Sequence, residues 1–200
     1  MITLLFIAVA YLIGSFSFAV IVSRAMRLPD PRSFGSGNPG ATNVLRSGRK
    51  TAAALTLLGD VLKGWVAVVL ARMLAPQFGL GEEVVLLCAL AVFIGHLFPV
   101  FFGFKGGKGV ATALGVLVGL NPWLGLACLV TWLFVAGVFR ISSLAALTTA
   151  ALAPAYAFLL AGWGGMTIAV LAIALLLVYR HKSNLIKLMS GQEGRIGTRS

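Results

Sequence analysis

The chain has 200 residues, of which 60% are hydrophobic and only 10% are charged, and its mean hydropathy is +1.01. Soluble domains carry about 25% charged residues, so this composition excludes a soluble enzyme and leaves no room for a sizeable domain outside the membrane. A net charge of +11 would suggest nucleic-acid binding in a soluble protein. In a membrane protein the cytoplasmic loops collect Lys and Arg, so no nucleic-acid partner is expected.

Apolar runs along the chain predict an all-α integral membrane protein, since helices satisfy their backbone polar groups within lipid. We expect one domain over residues 1–200, a compact bundle of seven transmembrane helices. The predicted spans are 2–22, 51–74, 84–104, 110–120, 123–139, 142–161 and 166–179. The fourth run is short, and the count of seven depends on its crossing the membrane.

The basic residues predict the orientation. Fourteen of the 16 Lys and Arg fall in the segments after spans one, three, five and seven. The opposite turns carry Glu82 and Glu83, and only Arg72 lies near a helix end on that side. The positive-inside rule then places the N-terminus outside and the C-terminus in the cytoplasm. Both glycine-rich loops and the basic tail would face the cytoplasm together.

The loop after the first span, residues 33–46, reads Ser-Phe-Gly-Ser-Gly-Asn-Pro-Gly-Ala-Thr-Asn-Val-Leu-Arg. Glycines allow close backbone approach to a ligand, and successive N–H groups in such turns bind anions. The loop either grips a phosphate at the membrane edge or is a glycine-rich turn with nothing bound. On the first interpretation its binding groups are Ser36, Gly37, Asn38, Thr42, Asn43 and Arg46.

Two ionisable residues, Asp60 and Lys63, lie within the second span, where charges are costly. Their spacing puts them on one helix face. They are either a structural ion pair or part of a polar cavity beneath the loops, and these two roles are compatible: we expect Lys63 among the substrate-binding residues and Asp60 in a structural role.

A second glycine-rich loop at residues 103–109 reads Gly-Phe-Lys-Gly-Gly-Lys-Gly. It is not a nucleotide P-loop, which needs Ser or Thr after the final Lys. It precedes an apolar helix, whose N-terminus attracts phosphate. The alternative is an ordinary basic cytoplasmic loop. The candidate substrate-binding residues are Lys105, Gly106, Gly107, Lys108 and Gly109.

Histidines and cysteines give weaker signals. His181 and Asn184 are three residues apart just after the last span, so a continuing helix would place them on the same side. A histidine there either has no functional role or can form a hydrogen bond or titrate near neutral pH. His96 within the third span is either a packing hydrogen bonder or functional. The two cysteines lack metal-type spacing, and we expect buried thiols and no metal site.

Three of these blocks together resemble the PlsY family of acyl-phosphate:glycerol-3-phosphate acyltransferases. They are residues 33–46, residues 103–115 and residues 179–193. The segments Asp-x-x-Lys-Gly at residues 60–64 and Gly-His-x-x-Pro at residues 95–99 resemble the family too. The resemblance covers essentially the whole chain, and the residues after Glu193 add nothing to it.

The resemblance implies transfer of a fatty acyl group from acyl phosphate to the 1-hydroxyl of sn-glycerol 3-phosphate. The products are lysophosphatidic acid and inorganic phosphate, the first step of phospholipid synthesis. It further implies that no metal or other cofactor is needed, that the protein lies in a bacterial cytoplasmic (inner) membrane, and that it works beside the phosphate acyltransferase that makes acyl phosphate. The family's catalytic residues fall on Ser36, Arg46, His181 and Asn184, its glycerol-phosphate glycines on Gly106, Gly107 and Gly109, and its structural glutamate on Glu193.

The residues fit this chemistry, because Arg46, Lys105 and Lys108 can neutralise two phosphates while an acyl chain lies between helices. Other classes fit less well. A membrane phosphate or organophosphate transporter, the main alternative, usually shows inverted repeats, and none is visible. A lipid-binding scaffold would not need the glycines. An acyltransferase dependent on coenzyme A would carry His-x-x-x-x-Asp, which is absent.

Overall fold

The computed structural model describes residues 1–196, and the regular elements among them are helices. In chain order the α-helices are α1 (Ile2–Gly14), α2 (Phe18–Ala25), α3 (Ala41–Leu45), α4 (Lys50–Leu74), α5 (Glu82–Leu97), α6 (Val110–Leu120), α7 (Pro122–Phe139), α8 (Ser142–Ala161), α9 (Gly165–Arg180) and α10 (Lys182–Met189). Short 3₁₀ turns at Ala75–Phe78 and Val100–Phe102 follow α4 and α5. The predicted all-α class is confirmed.

The chain is an integral membrane protein, and all seven predicted apolar runs lie on helices. Helices α4, α7 and α8, and α5 together with the 3₁₀ turn that follows it, are long and apolar enough to cross a membrane, and the bent pairs α1–α2 and α9–α10 raise the number of candidate spans to six. Helix α6 has 11 residues and is therefore about 17 Å long, roughly half the hydrocarbon thickness. It lies within the bundle as a short apolar helix.

The first predicted span, residues 2–22, is not one continuous helix. The helix breaks between Ser15 and Ser17, and α1 and α2 meet at a bend of 44°. The Ser15 hydroxyl donates to the Tyr11 carbonyl (2.9 Å), and the carbonyl of Phe16, freed by the break, accepts a bond from Lys63 Nζ (2.7 Å). A broken backbone inside a membrane protein needs such partners.

The third predicted span, residues 84–104, matches a candidate span at Glu82–Phe102 but is not one helix, because α5 ends at Leu97. Proline disfavours helical conformation in the residue before it, and Phe98 before Pro99 has φ −133° and ψ 67°. The chain then turns through Val100–Phe102 into the second glycine-rich loop. The early end of α5 therefore lays that loop across the end of the helix.

Close helix packing depends on small residues, as it does generally in membranes. A Cβ atom on Gly115 of α6 would lie 1.9 Å from the Val61 carbonyl oxygen of α4, and one on Gly64 would lie 2.4 Å from the Thr112 carbonyl oxygen. Helices α4 and α6 therefore touch backbone to backbone. This contact fixes the position of the short helix α6 and of the loop that leads into it.

Arg72 is the basic residue predicted on the side of the membrane opposite to most other basic residues, and it caps the C-terminal end of α6. Its guanidinium donates to the carbonyls of Gly119 (2.9 Å) and Leu120 (3.0 Å), and it also pairs with Glu82 at 3.2 Å. The last carbonyls of a helix lack intrahelical partners and carry partial negative charge. A cation at this position therefore has a structural reason independent of topology.

Candidate active site

Two cavities open beside the glycine-rich loops. The deep cavity, about 490 Å³ in volume, runs from these loops between α4, α6, α7, α8 and α9. The basic cavity, about 460 Å³ in volume, is lined by Arg32, Gly37, Pro39, Phe104, Lys105, Gly106 and Arg180. Gly37 lines the basic cavity and Asn38 the deep one, so the first loop forms a wall between them.

The deep cavity is polar at one end and apolar along its length. Its polar end is lined by Asn38, Thr42, Arg46, Lys108, Ser142, Ser143, His181, Asn184 and Glu193. Its apolar walls include Leu57, Val61, Leu117, Leu129, Trp132, Ala146, Ala150, Ala153, Val170, Ile173 and Leu177. A molecule with a charged head and a long hydrocarbon tail matches this distribution.

A chain of hydrogen bonds ties three distant segments together at the polar end. Lys108 Nζ donates to Asn184 Oδ1, and Asn184 Nδ2 donates to Glu193 Oε1 at 2.6 Å. The Ser143 hydroxyl at the start of α8 donates to the same carboxylate oxygen at 2.7 Å. Burial lowers the pKa of Lys108 below its usual value. This chain of hydrogen bonds fixes the Lys108 ammonium at the polar end of the deep cavity.

His181 is buried where α9 passes into α10. Its Nδ1 lies 2.8 Å from the Leu177 carbonyl oxygen, which can only accept a hydrogen bond, so Nδ1 carries the proton. Burial lowers the pKa of His181 to about 4, so the ring is neutral at neutral pH. The other ring nitrogen, Nε2, is then an acceptor. A neutral histidine of this kind can accept a hydrogen bond or a proton from a substrate hydroxyl.

The second glycine-rich loop lies against the end of α5 and leaves no space for a side chain at Gly106 or Gly107. A Cβ on Gly107 would lie 2.3 Å from His96 Nε2, and one on Gly106 would lie 2.1 Å from the His96 carbonyl oxygen. Gly109 has φ +88° and begins α6, with Phe93 packed against it. The loop therefore leads directly into a helix N-terminus that lines the deep cavity, where free N–H groups attract anions.

Arg180 braces this loop from the other side. Its Nη2 donates to the carbonyls of Gly106 (2.9 Å) and Gly107 (3.1 Å), its Nε donates to Gly107 (3.2 Å), and its guanidinium lies 5.3 Å from the centre of the Phe98 ring. The adjacent residue, His181, belongs to the deep cavity. The end of α9 therefore positions both a candidate catalytic group and the loop next to it.

The first loop is organised from within by Asn43. Its Oδ1 accepts from the Ser36 backbone N–H (2.9 Å), and its Nδ2 donates to the carbonyls of Pro31 (2.6 Å) and Phe34 (3.2 Å). Asn43 is buried and lines neither cavity, and its hydrogen bonds give it a positioning role within the loop, so its contact with substrate stays a prediction. Ser36 is exposed at the wall between the cavities, and Arg46 lines the deep one.

The buried ion pair supports the loops from below. Lys63 Nζ lies 2.8 Å from Asp60 Oδ1, and His96 Nδ1 lies 3.5 Å from the same oxygen. Asp60 and His96 line the deep cavity, whereas Lys63 lines neither cavity and bonds the Phe16 carbonyl. Lys63 was predicted among the binding residues, and the structure places it in the structural pair.

The structure brings most of the sequence-predicted residues to one end of the bundle but divides them between two cavities. Gly37, Lys105 and Gly106 line the basic cavity. Those that line the deep cavity are Asn38, Thr42, Arg46, Asp60, Lys108, Gly109, His181, Asn184 and Glu193. Those that line neither cavity are Ser36, Asn43, Lys63 and Gly107. Sequence reasoning missed Ser142, Ser143 and Arg180. The sequence signals that could have identified them were the serine pair at the start of an apolar helix and the arginine beside His181.

The C-terminal segment adds a further contact that was not expected. The Ile196 backbone N–H donates to the Arg140 carbonyl at 2.6 Å, and Arg140 Nη2 donates back to the Ile196 carbonyl at 3.2 Å. This pairing holds the tail against the start of α8. Glu193 and Ile196 both line the deep cavity, so the residues from Glu193 to Ile196 have a structural role there.

The comparison with protein families decides the assignment. Residues 4–191 match the family model described as glycerol-3-phosphate acyltransferase. The chain belongs to the glycerol-3-phosphate acyltransferase family. It is 76% identical over 200 residues to the glycerol-3-phosphate acyltransferase of Thiobacillus denitrificans, covering 100% of both chains. It is 65% identical over 195 residues to that of Chromobacterium violaceum, covering 97% of this chain and 95% of the relative.

Solved structures of the glycerol-3-phosphate acyltransferase family agree with this fold. The crystal structure of PlsY, an integral membrane glycerol 3-phosphate acyltransferase, in its glycerol 3-phosphate form aligns with a TM-score of 0.90 and 37% identity. Its lysophosphatidic acid form aligns with a TM-score of 0.89 and 36% identity. Both alignments cover 99% of this chain and 97% of the other. The resemblance found in the sequence is confirmed.

Proposed function

We propose that this protein transfers a fatty acyl group from acyl phosphate to the 1-hydroxyl of sn-glycerol 3-phosphate. The products are lysophosphatidic acid and inorganic phosphate. The observation that carries the proposal is the deep cavity, in which a cationic end with Arg46 and Lys108 continues into apolar walls. The names of the family and of the two PlsY forms support glycerol 3-phosphate and lysophosphatidic acid as substrate and product.

In the proposed reaction the 1-hydroxyl oxygen attacks the carbonyl carbon of acyl phosphate. The bond from that carbon to the phosphate oxygen breaks, and the phosphate leaves with the electron pair. His181 accepts the hydrogen bond of the attacking hydroxyl at Nε2, and the departing phosphate takes up the proton. Because acyl phosphate is already activated, the protein's contribution is positioning and charge stabilisation.

The remaining site residues take supporting roles. Arg46 and Lys108 neutralise phosphate charge, with Lys108 held by Asn184. Ser36, Asn38, Thr42 and the N–H groups of the two glycine-rich loops orient the phosphate oxygens, including those of the second loop from Gly106 to Gly109. Lys105 and Gly37 act from the basic cavity side. Glu193 is structural, because its carboxylate joins Asn184 to α8.

The residues at the polar end of the deep cavity support acyl phosphate as the acyl donor. The cationic groups there suit a small phosphate leaving group, and the chain lacks the His-x-x-x-x-Asp motif of enzymes that use coenzyme A. We further propose the bacterial inner membrane as its location, with the loops on the cytoplasmic side. There the enzyme would receive acyl phosphate from the phosphate acyltransferase that makes it.

The test is an assay of the purified protein with glycerol 3-phosphate and either palmitoyl phosphate or palmitoyl-coenzyme A. We expect lysophosphatidic acid and one equivalent of inorganic phosphate with palmitoyl phosphate only. Equal rates with the two donors would contradict the choice of donor. Failure with both donors, in protein that remains folded and binds glycerol 3-phosphate, would contradict the reaction itself.

A further inference from the structure

The basic cavity collects positive charge from three separate parts of the chain. Arg32 comes from the segment directly before the first loop, Lys105 from the second loop and Arg180 from the end of α9. Asp30 pairs with Arg32 at 2.7 Å. Within residues 1–196 no carboxylate lies in an ion pair with Lys105 or Arg180. Three cations with one paired carboxylate leave two positive charges unbalanced around one cavity.

The two arginines are held in fixed orientations. Arg32 bonds Asp30 through Nε (3.0 Å) and Nη2 (2.7 Å), and its guanidinium lies 5.9 Å from the centre of the Phe102 ring. Arg180 likewise uses Nε and Nη2 for the loop carbonyls and lies over Phe98. In the part of the chain that the structure describes, Nη1 of each arginine makes no hydrogen bond. Two oriented pairs of N–H donors therefore remain for a ligand.

We propose that the basic cavity is a second phosphate-binding site, separate from the deep cavity, which takes a phosphate group bearing about two negative charges. A phosphate monoester or inorganic phosphate carries about −1.5 to −2 at neutral pH, which balances the two unpaired cations. Arginine forks and a lysine are the side chains best suited to phosphate oxygens. A phosphate seated there lies on the opposite side of the first loop from the reacting groups.

Two sources can supply this phosphate: a water-soluble compound such as glycerol 3-phosphate or inorganic phosphate, and the headgroup of an anionic lipid. The same cations recognise both. Lys105 is exposed, so its reactivity reports occupancy of the cavity. Lys50 is an exposed lysine that lines neither cavity and provides the internal control.

The experiment measures acetylation rates of individual lysines by mass spectrometry in the full-length protein. The protein is placed in phosphatidylcholine nanodiscs, with inorganic phosphate or with chloride at equal ionic strength. We expect phosphate to slow acetylation of Lys105 at least threefold and to leave Lys50 unchanged. Nanodiscs containing phosphatidic acid, whose headgroup is a phosphate monoester, without soluble phosphate, test the lipid source. Protection in either arm supports the site and identifies its source, and protection in neither arm overturns it.

Variants separate the two cavities. Arg32→Gln should raise about tenfold the phosphate concentration needed to protect Lys105 from acetylation. Arg49 is exposed and lines neither cavity, so Arg49→Gln should not change that concentration. Lys108→Gln should weaken phosphate binding in the deep cavity and leave the protection of Lys105 intact. If Lys108→Gln abolished that protection and Arg32→Gln had no effect, the phosphate would occupy the deep cavity and the proposal would be wrong. Because the readout is binding, the result does not depend on the proposed acyl transfer.

Discussion

At the scale of single residues, His181 has the geometry of a hydrogen-bond acceptor for the substrate. Its Nδ1 proton is committed to the Leu177 carbonyl, and burial keeps the ring neutral. The ring is 3% exposed, so its orientation is set by packing and not by solvent. The local sequence around it, with an arginine and a lysine on either side, gave no indication of this burial.

His181→Ala should lower kcat by about 100-fold, the effect expected when a reacting group loses its positioning, with little change in the KM for glycerol 3-phosphate. The physical reason is loss of the acceptor at Nε2. Initial rates at saturating acyl phosphate measure this. The matched control is Lys182→Gln, an exposed neighbour that lines neither cavity and should retain full activity. An unchanged kcat in His181→Ala would remove the residue from the reaction.

Lys108 should make the proposed activity sensitive to alkaline pH. Burial lowers its pKa, so its ammonium loses its proton at a lower pH than an exposed lysine would. As the pH rises through that lowered value, the charge that holds phosphate disappears, and kcat/KM should fall. Lys108→Arg should move this fall to higher pH, because arginine stays protonated. Profiles of kcat/KM between pH 7 and 11 would show this, and coincident alkaline falls in both proteins would contradict it.

At the scale of elements, the short helix α6 is fixed at both ends. Arg72 caps its last carbonyls, and Gly109 starts it beside Phe93. Between these ends Gly115 brings its backbone against α4. A short helix held in this way presents its N-terminus to the deep cavity with little freedom to move, which is what electrostatic stabilisation of a phosphate requires.

Gly107→Ala should raise the KM for glycerol 3-phosphate about tenfold, equivalent to about 1.4 kcal/mol of binding. The added methyl would lie 2.3 Å from His96 Nε2, so the loop or the imidazole must shift. Steady-state kinetics at saturating acyl phosphate measure the effect. Gly137→Ala, at a helical position with open space around it, is the matched control and should be neutral. Equal KM values for the two variants would show that the loop tolerates the methyl.

At the scale of the whole molecule, the buried Asp60–Lys63 pair joins the break between α1 and α2 to the loop above α5. Lys63 bonds the Phe16 carbonyl, and Asp60 faces His96, whose ring packs under Gly107. Three segments that are distant in sequence thereby meet around one pair of charges. The pair therefore shapes the site without itself having to touch substrate.

Lys63→Met should destabilise the protein by about 3–5 kcal/mol, because it leaves the Asp60 carboxylate buried without its partner. The double variant Asp60→Leu with Lys63→Met should recover part of that loss, since no unpaired carboxylate remains. Thermal unfolding in detergent compares the three proteins. A double variant less stable than Lys63→Met alone would mean that the carboxylate is stabilised mainly by other groups.

The fold also predicts the sidedness of labelling. Gly48→Cys and Lys187→Cys, both exposed, should react with a membrane-impermeant maleimide from the same side of sealed vesicles. Gln77→Cys, in the exposed turn after α4, should react from the opposite side. The native Cys88 and Cys128 are buried and should not contribute. Labelling of Gly48→Cys and Lys187→Cys from different sides would contradict convergence of the loops and tail.

The sequence by itself determined the class of the protein and most of its polar residues. Twenty or so apolar residues in a row can only be helices in lipid, and glycines, arginines and lysines between such runs indicate anion-binding loops. The blocks around Ser36, Gly107 and His181 were therefore visible as motifs. The helix boundaries within the apolar runs were less predictable, because Ser15–Ser17 and Phe98–Pro99 interrupt runs whose hydropathy is continuous.

Only the tertiary structure decided how these residues are divided and held. Asn43 and Lys63 are drawn away from the cavities by backbone carbonyls of Pro31 and Phe16. Arg180 and Ser143 are brought in by contacts across 73 and 50 residues of chain. Local sequence sets propensity and charge, but which hydrogen-bond partner a buried polar group finds depends on segments far away in the chain. The separation into a deep and a basic cavity has this origin.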